Sequence, residues 1–248
     1  MPIVKIRAHD HDDRPTPSPI RITVPGWAGA KDPRSDGSHE QAWHCIPFSE
    51  SARYGLELLY PFEEELRVTM VDGQVQLDAD WGPPPASGLS WPPFRIFGED
   101  FYSYQLSLDL EVPPGWAVRT EPHPRYFTDP RNETPLAVPA LIRSDWWPMM
   151  FFCIFKAPPP GVTHVFRKGE GFISFIVLPA DPDLTLQAMS DEEAAQREMR
   201  ARRLSVSRDK LAEGTRWLSA TNTIFDGTYR NMARAARAKQ KNADPDEK

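Results

Sequence analysis

Only two cysteines, Cys45 and Cys153, occur in 248 residues, and no CxxC pair exists, which leaves a zinc ribbon unsupported. Each sits in an apolar run, WHCIPF or MMFFCIF, so both are expected to be buried free thiols that pack as small hydrophobes. No apolar stretch reaches the ~18 residues of a membrane span. The opening MPIVKIRAHDHDD also lacks the apolar core of a secretory signal. The expectation is therefore a cytosolic protein with no membrane contact. GxSxG, HExxH, P-loop and GxGxxG motifs are all missing, which disfavours acyl transfer and nucleotide-driven chemistry. The chain also lacks a net positive charge, standing at −6, so its body has no basic footprint for nucleic acid.

Proline is abundant instead, at 27 residues, roughly twice the usual ~5%. Proline is kept out of helix interiors and central strands, so short strands joined by many loops are favoured over an α/β fold. Charge is unevenly spread. Residues 190–241 hold twelve Lys/Arg against seven Asp/Glu, which leaves the rest of the chain strongly acidic. An acidic body and a basic tail imply two surfaces with different uses.

The apolar patterning gives a run of strands. IVKIR (3–7) and IRITV (20–24) are short candidates, separated by polar, Pro-broken loops. AWHCIPF (42–48) is a strand candidate, followed by a helical turn at 49–55 that Ser49 caps and Gly55 ends. LELLYPF (56–62) follows. LRVTMV (66–71), Asp72-Gly73 and QVQLDADW (74–81) form the clearest hairpin, with alternating apolar positions and a dipeptide suited to a type I′ turn. Strands are further expected at 94–101, 104–112, 116–121, 135–146, 148–158, 163–169 and 172–180. The unalternated runs 149–155 and 172–178 read as strands buried on both faces. After Pro182 the composition changes. Ser190 and Glu193 form a capping-box signature before a run of good helix formers, and YRNMARAARAKQ closes the chain as a second helix.

The expected architecture is mostly β: an antiparallel β-sandwich or jelly-roll body over residues 1–182, a helical appendage over 183–241, and a disordered tail over 242–248.

Several strings, in order, resemble a domain-of-unknown-function family of bacterial and phage proteins. Members carry a Cys-Leu-Pro-like strand followed by a Gly-Trp near a strand start, a Phe-Gly, a Pro-Pro-Gly-aromatic turn, a Glu-x-Asp-Trp pair before a proline and a Gly-Glu-Pro near the last strand. Here these correspond to Cys45 and Pro47, Phe97 and Gly98, Pro113 to Trp116, Asp145 and Trp146, and Gly169 and Glu170. The resemblance spans roughly residues 42–180. The chain departs from the pattern at Tyr54-Gly55, Arg143 and Gly171. What the resemblance implies is a compact β body; it implies no activity.

Candidate sites are three. His9-Asp10-His11-Asp12-Asp13 contains the H-x-D spacing of an iron-binding facial triad, with His123 or His164 as a distant third ligand, but its Pro-flanked setting reads as a solvated loop. His44, His123 and His164 could form a cupin-like trio, yet the close histidine pair of that arrangement is missing. The third is Trp116, Arg119, Arg143, Asp145 and Trp146: aromatic walls with a few convergent polar groups describe a small-ligand pocket, and the two arginines could clamp an anion. These five are the expected ligand-binding residues, with no metal assigned and no cofactor named.

The leading expectation is a small-molecule-binding module for an anionic or aromatic ligand. The alternatives are a non-heme iron oxygenase on the same scaffold and a structural or phage-linked interaction protein. For the basic tail 190–241, Arg230, Arg234 and Arg237 share one helix face, a solvated face or one that docks a protein partner or a second copy.

Overall fold

A computed structural model describes residues 2–8, 16–22, 44–83, 91–106, 108–149, 151–218 and 221–243. Its early elements are β1 (Lys5–Ala8), β2 (Ser18–Pro19), α1 (Ile46–Ser51), β3 (Leu56–Leu59), β4 (Leu66–Val71) and β5 (Gln74–Asp78). Next come β6 (Phe94–Ile96), β7 (Phe101–Gln105), β8 (Leu108–Glu111), β9 (Trp116–Pro122) and a 3-10 turn at Pro124–Phe127. Then follow β10 (Leu136–Ala137), β11 (Leu141–Ile142), β12 (Phe152–Lys156), β13 (His164–Phe166) and β14 (Gly171–Pro179). The last elements are α2 (Asp191–Leu211), β15 (Trp217–Leu218), β16 (Ile224–Phe225) and α3 (Thr228–Ala243).

The chain forms two compact units, one of residues 1–23 and 51–182, the other of residues 24–50 and 183–248. The first unit is antiparallel β throughout. A five-stranded sheet runs β11-β9-β14-β3-β2, a four-stranded sheet β10-β12-β7-β6, a three-stranded sheet β13-β4-β5, and β1 pairs with β8 as a ribbon. As expected, Asp72 and Gly73 both adopt positive φ, at 50° and 75°, and the twist of that turn matches its strands. The central strand β14 is buried at its first five residues, which explains the apolar run there.

An aromatic core joins the three larger sheets. Phe172 of β14 meets Tyr104 of β7 edge-on at 5.3 Å and Phe166 of β13 at 5.6 Å. Phe94 of β6 lies 4.9 Å from Phe166. Offset and edge-on contacts of this kind suit the ring quadrupole. Mostly β and antiparallel, with helices toward the C-terminus, is thus the observed class.

The boundaries differ in instructive ways. Residues 46–51 are helical, not a strand: Pro47 falls in the first turn, where its missing N–H costs nothing, and Ser49 lies inside the helix, donating from Oγ to the Ile46 carbonyl at 3.1 Å. Gly55 does end the segment, with φ +105° and a virtual Cβ 2.5 Å from the Phe175 carbonyl oxygen. The expected strand over 20–24 is not formed at 20–22; the short strand there is β2, Ser18–Pro19, and 23–24 lie outside the described residues. The run 94–101 folds back at Gly98 (φ 69°) into the β6–β7 hairpin. The run 104–112 divides between two sheets. Pro139 splits 135–146 into β10 and β11. Strand β12 alternates, with Phe152 exposed and Cys153 and Phe155 buried, so 149–155 is covered on one face only.

In the second unit, Ser190 Oγ accepts from Glu193 N and Glu193 Oε2 accepts from Ser190 N, completing the expected capping box of α2. Helix α3 extends to Ala243, so Asn242 and Ala243 are helical rather than part of a disordered tail; 244–248 lie outside the described residues. Cys153 is buried but Cys45 is exposed, contrary to the expectation for that thiol. No helix among the described residues is long and apolar enough to cross a membrane.

Candidate functional site

Strand β11 ends at Ile142, and the chain then turns: Trp147 N donates to the Arg143 carbonyl at 2.8 Å and Trp146 N at 3.2 Å. The next strand, β12, belongs to a different sheet from β11. Residues 143–151 therefore cross between sheets. Arg143 and Asp145 meet within a turn, not on one strand face. Arg143 donates from Nε and Nη2 to the two Asp145 oxygens, both at 3.1 Å, and from Nη1 to Asp181 at 3.2 Å. Asp145 also accepts from Gly115 N at 3.1 Å. The Arg143 hydrogen bond holds the Asp145 carboxyl below the ordinary carboxylate range, and the same bond raises Arg143. Three segments are thereby fastened together: the Pro113-Pro114-Gly115 turn, the 143–147 turn and the chain after β14.

The other expected residues lie elsewhere. Arg119 is held by Glu121 at 2.6 Å on the solvent side of β9. Trp116 is half-buried against the core. Asp145 and Trp146 do line a cavity of about 500 Å³. Trp116, Arg119 and Arg143 are not among its lining residues.

One wall of this cavity is the β1–β8 ribbon. Its register places Lys5 opposite Glu111, Ile6 opposite Leu110 and Arg7 opposite Asp109. Residues two apart share a face, so the charged pairs occupy one side and the apolar pair the other. Lys5 Nζ lies 2.7 Å from Glu111 and Arg7 Nε 2.8 Å from Asp109, so each cation on this wall is matched by a carboxylate. The other wall is Ser144 to Met149 with Phe151. Trp146 and Trp147 stand perpendicular, at 89° with ring centroids 6.1 Å apart. Trp146, Trp147 and Met149 are 63%, 45% and 61% exposed, an apolar cluster on the surface of the unit. Ser144 differs from all of these. It is 5% exposed, and its Oγ has no hydrogen-bond partner among the described residues.

Among the described residues, each histidine has its own separate partner. His123 pairs with Glu57, His164 with the Tyr102 hydroxyl at 3.0 Å, and His44 meets Phe225 edge-on in the second unit. Burial lowers His164 to about 4 and pushes the Tyr102 hydroxyl and Cys153 thiol up. The His9–Asp13 cluster lies outside the described residues.

Sequence reasoning missed Ile6, Leu108 and Leu110 as cavity residues. The signal was present in the alternation of 104–112, but it could not reveal that β1, about a hundred residues earlier, pairs there.

No family model and no curated protein matches the chain. Among solved structures, it is similar to the EIAV dUTPase in its native form, at 11% identity and TM-score 0.33, over 55% of this chain and 83% of that one. It is also similar to the dUTPase from phage phi11 of S. aureus, at 9% identity and TM-score 0.36, over 76% of this chain and 98% of that one. Likenesses this loose carry no functional inference.

Proposed function

We propose that the first unit binds a small, uncharged aromatic molecule bearing one hydrogen-bonding group, in the cavity between the β1–β8 ribbon and the 144–151 segment. The observation that carries this reading is the orphan Ser144 hydroxyl. A buried polar atom without a partner costs about 1–3 kcal/mol, and a ligand group that reaches it recovers that cost. The volume of about 500 Å³ suits a small organic molecule, since such pockets run to about 300–1,000 Å³ with apolar walls and few polar groups. Trp146 and Trp147 offer a face and an edge to a planar ring.

An anionic ligand has less support. Arg143 and Arg119 already hold carboxylates, and the Lys5 and Arg7 charges are matched by Glu111 and Asp109. A cytosolic setting suits the same reading, because both thiols are free, as reducing compartments keep them.

Thermal-shift screening of neutral heteroaromatic compounds, beside matched anionic analogues, tests the proposal. Hits should be neutral, and their shift should vanish in Trp146→Ala while persisting in Arg119→Ala. Hits confined to anions, with dependence on Arg119, would overturn it.

A further inference from the structure

The cavity between the β1–β8 ribbon and the 144–151 segment carries two kinds of apolar surface. Trp146 and Trp147 supply aromatic surface. The apolar surface of the ribbon is purely aliphatic: Ile6 of β1 with Leu108 and Leu110 of β8. Ile6 stands opposite Leu110 in the register, and Leu108, two residues from Leu110, shares its face. The leucines are each 6% exposed and belong to the hydrophobic core, and half-buried Phe151 packs against that same core. The two tryptophans are far more exposed than the leucines. The cavity therefore has an aromatic rim and an aliphatic floor.

Polar groups divide in the same way. Ser144 Oγ, on the tryptophan side, has no partner among the described residues. On the ribbon, Lys5 already pairs with Glu111 and Arg7 with Asp109. A second hydrogen-bonding group on a ligand lying against Ile6, Leu108 and Leu110 would leave water to meet hydrocarbon, and a hydrogen bond left unmade is penalised. A hydrocarbon chain carries no such penalty, and each methylene it removes from water adds affinity. There is room for one: a cavity of about 500 Å³ falls in the range of about 300–1,000 Å³ that holds molecules larger than a single ring.

Resting on the ring-binding reading above, we propose that the ligand is an alkyl-substituted neutral aromatic. Its ring and hydrogen-bonding group sit at Trp146 and Ser144, and its chain runs along Ile6, Leu108 and Leu110. Ile6 determines specificity for the chain. It is the apolar side chain that β1 contributes to the wall, and at 38% exposure it is the most accessible of the three.

Titration calorimetry of the full chain with phenol, 4-ethylphenol, 4-propylphenol and 4-butylphenol tests this. Affinity should rise about two- to fourfold for each added methylene, at one site per chain. The ratio of 4-butylphenol to phenol affinity, taken within each variant, should collapse towards one in Ile6→Asp and fall part-way in the gentler Ile6→Ala. Equal affinities across the series, with phenol still bound and lost in Trp146→Ala, would overturn the alkyl chain and leave the ring site standing. A ratio unchanged in both Ile6 variants would overturn it as well. Failure of phenol and of every alkylphenol to bind would overturn the ring site itself, and the chain with it.

Discussion

His123 Nε2 lies 2.8 Å from Glu57 Oε2, and both side chains are almost wholly buried. The ring's Nδ1 accepts from Arg125 N at 3.2 Å, so Nε2 carries the hydrogen and donates to the carboxyl group. The second Glu57 oxygen accepts from Arg21 N at 3.0 Å. This pair ties β3 to the chain leaving β9.

Replacing His123 by Leu leaves Glu57 buried without its side-chain donor. The expected loss is about 3 kcal/mol, as for an unsatisfied buried polar group. Glu57→Gln should cost less, because it keeps an acceptor. Urea unfolding of the two variants checks the order.

The same ring explains Gly171. A Cβ there would sit 2.3 Å from His123 Nε2, and the Gly171 carbonyl accepts from Arg125 Nε at 2.7 Å, so the backbone has little room to retreat. Gly171→Ala should destabilise by about 1–3 kcal/mol, the usual range for overpacking. Combined with His123→Ala, which empties the space, its additional cost should shrink in a double-mutant cycle.

His164 sets a pH dependence. Its folded value is about 4, against an ordinary value near 6.5. Between these the unfolded chain takes up the proton and the folded chain does not, so stability is full above pH 6.5 and falls as pH drops towards 4. The loss attributable to this residue approaches about 3 kcal/mol. Denaturation midpoints of wild type and His164→Gln at pH 7 and pH 4.5 should differ in slope, the variant being flatter. Parallel slopes would remove His164 as the cause.

Parts of this fold can be read directly from local chemistry. Asp72-Gly73 marks a turn because both residues accept positive φ, and Ser190 with Glu193 marks a helix start because two side chains satisfy two backbone donors. The apolar run 172–178 marks the middle of a sheet. Other parts cannot be read this way. The alternation of 104–112 in the sequence gives no sign that β7 and β8 enter different sheets; β8 buries alternate side chains, whereas β7 buries Tyr102, Ser103 and Tyr104 in succession. The candidate site was half legible. Asp145 and Trp146 stand out by type, but Arg143 is used up within its own turn, and the β1 wall arrives through long-range pairing that leaves no mark in the residues around Trp146.

Ser144→Ala is the most direct test of the account. With no ligand bound, removing a buried, unpartnered hydroxyl should raise the protein's stability, by about 1 kcal/mol. With a neutral heteroaromatic hit bound, the same variant should lose affinity by a comparable amount, because the ligand's hydrogen-bond partner is gone. Chemical denaturation and titration calorimetry on the one variant give both numbers. Opposite signs, a more stable free protein and weaker binding, are the predicted result. A variant that is destabilised when free and binds every ligand as tightly as wild type would contradict the assignment of Ser144 and its cavity as the binding site.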